Sequence, residues 1–592
     1  MKKIFTISSI TIFLFAYLFY GFTSHNNSKI SFFLNNELAA RNSGDKILIW
    51  VYFNDKGTNT ISDAINSLSK ESLARREAKG QINELDIPVY NNYVNEVVNT
   101  GITVKQSINM LNAISTYATQ EQIERISSLP FVKKVDLVAK FKKRVNDIEL
   151  QPVNENNIFP AVEVSNNNDG PESMSYGASL SQMTLINAVM PQDSGYNGAG
   201  ITIAVFDAGF DNLSHPCFDS IRARGFRTKD FVNGDTNVAN GGLGTGEHGT
   251  QTLSLIGGYK PGNLISPAYR SKFLLAKTEN TDSETPAEED NWIAAVQWAD
   301  GLGADIISSS LGYIAMDPGS SRSYDWTWMN GDSTVITKGA NHAADIGIVV
   351  VNSAGNEGYN ATHNTLGAPS DGKKVICVGS VNSNKQRSSF SSVGLTTIGD
   401  IKPDICALGN GNTVAQPSYG SGSPTGYTTG SGTSFSCPMT AGVVAMILQA
   451  NRTLTPAQVK TVLRTKADSS FAPNRQRGYG LINAWESVKL ARTMTSVIDP
   501  TSFVTNFALG QNYPNPFNPV TKIQYDLRVD ANVKIVVFNS AGKEVTQLLN
   551  ENKSAGSYSI TFDGNSLNSG VYFYALYTNG VLQNAKKMML VK

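Results

Sequence analysis

The stretch GTSFSCP, residues 432–438, is the most informative part of this chain, and an apolar run at residues 439–450 follows it directly. The run predicts a buried helix, which places Ser434 at a helix N-terminus. Backbone N–H groups at such an end point outward and favour developing negative charge. A nucleophilic serine needs such a place, because its attack on a carbonyl creates an oxyanion. Taken alone, the motif is also compatible with a serine that only caps the helix.

Length and charge narrow the class of protein. The chain has 592 residues, which is too long for one core, so about three or four domains are expected. Its 49 basic and 49 acidic residues cancel, which argues against a nucleic-acid binder that would have to neutralise phosphates. Only 17% of the residues are charged, a composition that suits a secreted protein rich in loops.

The N-terminus has the pattern of a signal peptide. Lys2 and Lys3 precede an apolar stretch at residues 10–20, and we expect the segment 1–24 to be removed, with the cut near residues 21–26. A retained membrane anchor is the alternative.

Four cysteines occur, and none has the spacing of metal ligands. Export would permit disulfides, although the spacing does not determine a pairing. Cys377 lies in a predicted strand and Cys437 opens the predicted buried helix, so both are interpreted as small core residues. The remaining two are Cys217 and Cys406.

Residues 27–150 are predicted to form a small α+β domain. Apolar strands are expected at residues 47–53 and 131–138, and polar helices at residues 62–79 and 119–128. A polar linker rich in Asn, Glu and Pro, residues 151–175, follows this domain.

Residues 176–495 alternate apolar strands with helices. This alternation predicts an α/β fold, a parallel sheet with helices on both faces. In such sheets the chemistry lies beyond the carboxyl ends of the strands. Strands are expected at residues 201–206, 304–307, 346–351 and 374–378, and helices at residues 290–302 and 336–345.

Residues 497–592 lack helical patterns. Short alternating strands separated by glycines predict a small all-β, Ig-like antiparallel sandwich.

Three further motifs bear on chemistry. Asp207 follows the strand at residues 201–206, and Asn356 lies in a Gly-rich turn after another strand. His248 has glycines at 246 and 249, which would let a backbone or a substrate come close. His215, the rival base, is interpreted as part of a surface turn. Each motif alone also has a structural explanation, such as a turn or a cap.

Together the motifs at Asp207, His248, Asn356 and Ser434 resemble those of the subtilisin-like serine proteases, peptidase family S8, in type and order. The resemblance covers about 320 residues. Two positions depart from the family pattern. Ala208 stands where a hydroxyl would support the aspartate, and Ser254 stands where Gly or Ala is usual.

The resemblance implies a role for each residue. Ser434 would attack the scissile carbonyl, His248 would act as the base and then the acid, and Asp207 would hold the imidazole. Asn356 and the backbone N–H of Ser434 would stabilise the oxyanion. The segment Ser309, Ser310, Leu311 and Gly312 would pair with the substrate backbone; an ordinary sheet edge is the alternative.

The flanking domains carry weaker resemblances. Residues 114–118 and 130–135 resemble the family's inhibitory propeptide, which implies self-cleavage in the linker and a mature chain that begins near Tyr176. A retained accessory domain is the alternative. Residues 509–519 and 586–592 resemble the C-terminal sorting domain of type IX secretion. This implies export through the periplasm and release or attachment at the outer surface; a plain Ig-like spacer is the alternative.

The sequence therefore predicts a secreted serine endopeptidase made as a self-processing zymogen. Expected partners are protein or peptide substrates, the chain's own propeptide and the type IX secretion machinery. Calcium is conceivable at Asp282, Glu284, Glu288, Glu289 and Asp290, but no calcium-loop pattern is present, and no metal or other cofactor is assigned. A catalytically weak binding or adhesion protein on the same fold, and transpeptidation through the same acyl-enzyme, remain the alternatives.

Overall fold

The computed structural model describes eleven segments of the chain. The predicted signal peptide and nearly all of the predicted linker lie outside them, as do Asp282 and Glu284. The described residues are 29–138, 174–239, 243–244, 246–281, 287–314, 324–418, 423–494, 508–512, 514–527, 531–553 and 556–592.

The first domain is a four-stranded antiparallel sheet with five helices. The sheet has the order β2-β3-β1-β4, so the first strand is central. The predicted helix at residues 62–79 is two helices, because the Ser69 hydroxyl accepts a hydrogen bond from the Ser72 N–H at 3.2 Å and starts a new helix there. The strands are β1 (Ile47–Phe53), β2 (Val104–Ile108), β3 (Ala113–Ala118) and β4 (Val132–Leu137), and the helices are α1 (Phe32–Ala39), α2 (Ile61–Ser67), α3 (Lys70–Lys79), α4 (Asn91–Val98) and α5 (Gln120–Ser128).

The central domain is built on a seven-stranded parallel sheet. Its strands are β5 (Thr202–Asp207), β6 (Phe226–Asp230), β9 (Lys272–Lys277), β10 (Ile306–Ser309), β11 (Val349–Ser353), β12 (Ile376–Val381) and β15 (Ile405–Leu408). Three two-stranded pairs accompany it: β7 (Tyr259–Lys260) with β8 (Leu264–Ile265), β13 (Gly394–Leu395) with β14 (Ile401–Lys402), and β16 (Asn410–Ala415) with β17 (Tyr427–Ser431).

The strand order β15-β12-β11-β10-β5-β9-β6 places a switch point between β5 and β10. From β5 the chain first builds toward β9 and β6, and then returns to add β10 on the other side. Loops leaving the carboxyl ends of these two neighbours diverge there, and a crevice between them is the usual site of chemistry.

Helices cover both faces of this sheet, which confirms the predicted fold class. Alternate residues of β5 belong to different cores: Ile203 and Val205 to one, Ala204 and Phe206 to the other. The helices are α6 (Leu180–Leu185), α7 (Val189–Asp193), α8 (Asp219–Arg224), α9 (His248–Gly257), α10 (Ala287–Gly301), α11 (Val335–Asp345), α12 (Thr433–Ala450), α13 (Pro456–Lys466) and α14 (Ala484–Thr493).

Helix α12 is the central element of one core. It is apolar and long enough to cross a membrane, with a mean hydropathy of 1.3, yet 83% of it is buried inside the protein. The helix packs on strands β10, β11, β12 and β15 and on helix α9. Its apolar character therefore serves burial within this domain.

The last domain is an antiparallel two-sheet structure, as the sequence predicts. One sheet has the order β18-β19-β22 and the other the order β21-β20-β23-β24. One core, which includes Phe517, Ile535 and Tyr574, draws residues from both sheets. The strands are β18 (Ala508–Leu509), β19 (Val520–Leu527), β20 (Ala531–Asn539), β21 (Glu544–Lys553), β22 (Gly556–Asp563), β23 (Gly570–Thr578) and β24 (Val581–Leu590).

Candidate active site

Asp207 and His248 are in direct contact. Asp207 is the last residue of β5 and is fully buried, and His248 is the first residue of α9. The imidazole Nδ1 lies 2.8 Å from Asp207 Oδ1. Because a carboxylate only accepts hydrogen bonds, Nδ1 carries the proton, which leaves Nε2 as the basic nitrogen.

Two further donors hold the Asp207 carboxylate. The Ala208 N–H donates to Oδ1 at 2.8 Å, and the Thr252 hydroxyl donates to Oδ2 at 2.9 Å. Thr252 lies one helical turn after His248, so both side chains reach Asp207 from the same face of α9. The hydroxyl missing at Ala208 is therefore supplied from another element.

The glycines on either side of His248 allow two backbones to touch. A Cβ added to Gly246 would lie 2.1 Å from the Ala208 carbonyl oxygen, and one added to Gly249 would lie 2.3 Å from that of Gly209. Neither contact leaves room for a side chain. The glycines therefore bring the start of α9 against the loop that carries Asp207.

Ser434 is the second residue of α12 and lies beside the end of β10. Its hydroxyl donates to the Ser310 carbonyl at 3.3 Å, and the Ser310 hydroxyl donates to the Ser434 carbonyl at 3.0 Å. The ring of the next residue, Phe435, packs edge-on against His248 with the ring centroids 5.7 Å apart. Ser434 and His248 therefore lie close together at the switch point, beside the carboxyl ends of β10 and β5.

Asn356 is held by the residue before Ser434. Its side-chain oxygen accepts from the Thr433 N–H at 2.9 Å and from the Thr433 hydroxyl at 3.0 Å. Because the oxygen is engaged in this way, the amide Nδ2 is the end of the side chain that can donate to a ligand. The same Thr433 hydroxyl accepts from the Gly355 N–H at 3.2 Å, which ties the whole turn to α12.

Comparison with known proteins agrees with this geometry. A model of the subtilase family matches residues 198–480. Subtilisin DY of Bacillus licheniformis is 30% identical over 302 residues, which are 50% of this chain and 94% of the relative. A subtilisin of Bacillus pumilus is 32% identical over 316 residues, which are 53% of this chain and 98% of the relative.

The chain belongs to the subtilase family.

Two other family models match the flanking domains of this subtilase. A peptidase S8 propeptide domain of Bacteroidota matches residues 48–156, and a secretion system C-terminal sorting domain matches residues 511–592. This subtilase is accordingly a serine-type endopeptidase with a propeptide domain. Its type IX sorting domain indicates secretion or attachment to the outer surface.

The predicted substrate segment of the subtilase leaves the sheet rather than forming its edge. Ser309 ends β10, which is flanked by β5 and β11, and its hydroxyl accepts from the Trp292 indole at 3.0 Å. Leu311 and Gly312 continue beyond the sheet, and Gly312 faces the backbone of Gly367. Pairing of this segment with a substrate stays a prediction.

His215 is not in a surface turn, contrary to the interpretation from sequence. Its side chain is buried, with Nε2 2.7 Å from the Gly426 carbonyl oxygen, and Nδ1 accepts from the Cys217 N–H at 3.1 Å. Both ring nitrogens therefore serve the fold. Ser254 is structural as well, since its hydroxyl donates to the Gln251 carbonyl and accepts from the Ala415 N–H.

The remaining candidates of the subtilase have structural partners. Glu288 accepts from the Asn280 N–H at 2.9 Å, and Glu289 accepts from the Tyr324 hydroxyl at 3.0 Å. No group of three or more His, Cys, Asp or Glu side chains is placed to hold a metal ion within the described segments. All four cysteines lie in those segments and are buried free thiols.

Proposed function

We propose that this protein hydrolyses peptide bonds with Ser434 as the nucleophile. His248 would take the serine proton through Nε2 and then pass it to the leaving amine. Asp207 would keep the proton on Nδ1 and stabilise the imidazolium. The observation that carries this proposal is the 2.8 Å contact between His248 Nδ1 and the buried Asp207 carboxylate.

The oxyanion would be stabilised from two directions. Ser434 lies in the first turn of α12, where backbone N–H groups lack helical partners. Asn356 would add its Nδ2, which Thr433 orients by engaging the amide oxygen. Donors fixed in this way need no reorganisation when charge develops on the carbonyl oxygen.

The first domain would make the protein a zymogen. Its strand β1 contributes Leu48 and Trp50 to the same core as Phe206 and Trp292 of the protease domain. A domain that shares a core with the protease would assist folding and would inhibit the protease until it has been cut and released. The sorting domain supports passage through the periplasm to the type IX machinery.

A fluorophosphonate probe tests the nucleophile directly, because it phosphonylates an activated serine. We expect one label per chain on Ser434 after propeptide removal, and none in the His248→Ala variant. Ser436→Ala is the matched control, since Ser436 is buried two residues away and donates to the Ala407 carbonyl. Labelling of another residue would show that Ser434 is not the nucleophile, and no labelling in the cleaved wild type would favour a binding protein on a protease fold.

A further inference from the structure

Helix α3 of the first domain carries three buried cations. Arg75, Arg76 and Lys79 are 5%, 1% and 7% exposed. Two of them are neighbours in sequence and the third lies one turn later, so one end of a short helix concentrates the charge. Buried cations are rare unless they are paired.

Both guanidinium groups bind one carboxylate of the protease domain. Arg76 Nη2 donates to Asp300 Oδ2 at 2.6 Å, and Arg75 Nη2 donates to Asp300 Oδ1. Asp300 lies in the last turn of α10. Each oxygen of this carboxylate thus accepts a charge-assisted hydrogen bond from the first domain, the strong class of such bonds.

Two further donors of Arg75 also go to the protease domain, while Nη2 donates to the Ser72 hydroxyl within α3 as well. Nη1 donates to the Ala304 carbonyl at 2.8 Å, and Nε donates to the Ile346 carbonyl at 3.1 Å. Lys79 Nζ lies 3.6 Å from Asp305 Oδ1, while Arg452 of the protease domain donates to the other oxygen of Asp305 at 3.0 Å. Arg75 is therefore satisfied mainly by the protease domain, whereas Arg76 divides its bonds between Asp300 and two groups of its own domain, Asp86 and the Gln81 carbonyl. Lys79 faces Asp305 as an ion pair without a hydrogen bond.

The backbone of α3 also fits the protease domain closely at both ends. A Cβ on Gly303 would lie 2.5 Å from the Cβ of Glu71, and a Cβ on Gly80 would lie 2.5 Å from the Ile346 carbonyl. Such contacts are possible only because these positions are glycines. Both ends of α3 therefore pack directly against the backbone of the protease domain.

The sheet of the first domain makes a different kind of contact. Ser115 donates to Asp290 at 2.6 Å and Lys105 donates to Asn291 at 2.6 Å, beside apolar side chains such as Trp50. Lys105 and Asp290 also attract each other electrostatically, but the hydrogen bonds named here join each of them to a neutral side chain. The hydrogen-bonded charge pairs that join the first domain to the protease domain are therefore concentrated at α3.

We propose that α3 is a charge clamp that sets how long the cleaved propeptide domain stays on the protease. On the protease domain, Asp300 and Asp305 would recognise a propeptide helix that bears two adjacent arginines and a lysine three residues later. The inference rests on the proposed function only in taking the first domain to be cut from the protease. Breaking buried, hydrogen-bonded charge pairs mainly affects the dissociation rate.

The test uses the full chain with Ser434→Ala, so that no self-cleavage takes part. A recognition sequence for a site-specific protease replaces part of the linker within residues 151–173, and the folded chain is cut there. Dissociation of the fluorescently labelled propeptide domain is followed after dilution. We expect Asp300→Asn to speed dissociation by roughly 30-fold or more.

Arg125→Gln is the matched control, because Arg125 forms an exposed pair with Glu121 on α5. The propeptide domain of this variant should dissociate at the parent rate. Arg75→Gln and the double variant with Asp300→Asn complete a mutant cycle. If the clamp is real, the double variant dissociates more slowly than the product of the two single effects predicts, because the Arg75–Asp300 bond is counted in both single variants. Melting curves of the uncut chains show whether each variant folds.

A parental dissociation rate in folded Asp300→Asn, or strictly additive effects in the cycle, would overturn the clamp. If Arg75→Gln fails to fold, Asp300→Asn alone decides, since it leaves the propeptide domain unchanged. The outcome does not depend on catalysis. Failure of the proposed protease mechanism would instead appear as unlabelled Ser434 in the probe experiment.

Discussion

Replacing Thr252 by valine removes a hydroxyl from the Asp207 carboxylate while nearly keeping the shape of the side chain. The Thr252 hydroxyl lies 2.9 Å from Asp207 Oδ2 and is fully buried. It is also 3.2 Å from the Gly249 carbonyl, so a single proton has two possible acceptors. The charged carboxylate is the stronger acceptor and the nearer one.

The magnitude follows from the bonds that remain. A hydrogen bond to a charged group contributes about 1.5–3 kcal/mol, which would correspond to about 10- to 150-fold in kcat/KM if all of it served to orient Asp207. Asp207 Oδ1 keeps the Ala208 N–H and His248, so the carboxylate is not left without partners. We therefore expect the lower end, a fall of about tenfold.

The assay is the pH profile of kcat/KM on a chromogenic peptide, with thermal unfolding measured alongside. Without the hydroxyl, more of the carboxylate's charge acts on His248, which favours the imidazolium. The acid limb, where activity requires neutral His248, should therefore move to higher pH. A purely structural threonine would lower the melting temperature and leave this limb in place.

Rescue completes the test. Adding Ala208→Ser to Thr252→Val places a hydroxyl next to Asp207 again and should recover most of the lost activity. Unchanged kcat/KM and an unmoved acid limb in Thr252→Val would refute the role assigned to Thr252. A double variant no better than the single one would show that the two positions are not interchangeable.

Three further predictions concern other parts of the molecule. Asn356→Ala should lower kcat by about 10²–10³ with little change in KM, measured by steady-state kinetics. Burial in the complex raises the pKa of Asp290 to about 6, against the lowering effects of Lys105 and Ser115 of the propeptide domain. Release of that domain should expose the carboxyl to water and return its pKa toward the ordinary value, so propeptide affinity should weaken as pH rises through about 6; dissociation rates of the cut chain across this range, compared with Asp290→Asn, check this, and equal slopes would contradict it. A thiol reagent should find no reactive cysteine in the native chain and four after denaturation, and an intact mass that rises on reduction would contradict this.

Much of the fold could be predicted because local patterns and tertiary packing agree. The apolar run after Ser434 became α12, and the strand before Asp207 became β5 within one residue of the expected bounds. The glycines around His248 indicated a close backbone approach, and the structure shows which backbone approaches. In these places the sequence alone carries the physical reason.

Other features depend on residues that meet only in three dimensions. Thr252 could have been noticed as the residue one turn after His248, but its acceptor lies on a different element. Thr433 orients Asn356 across 77 positions of sequence, which no local pattern reveals. The position of His215, eight residues after Asp207, suggests a surface turn, whereas the structure buries the side chain and places its Nε2 against the Gly426 carbonyl.

The charged residues of α3 show the same limit. From the sequence, Arg75 and Arg76 belong to a polar helical stretch, and nothing in that pattern predicts that they are buried. The structure buries them, because Asp300 of another domain pairs with both. Two backbone carbonyls of that domain also accept from Arg75, and Asp86 and the Gln81 carbonyl accept from Arg76. Pairing between domains cannot be inferred from helical periodicity, which records only which face is apolar.

The most direct test of Ser434 as the nucleophile is to express residues 27–592 as wild type and as Ser434→Ala. The intact mass and the casein hydrolysis of both proteins are then followed over time. We predict that the wild type trims itself within or near the linker and digests casein, while the variant stays at full length and is inert. A variant that is trimmed and digests casein as the wild type does would contradict the assignment of Ser434 as the nucleophile.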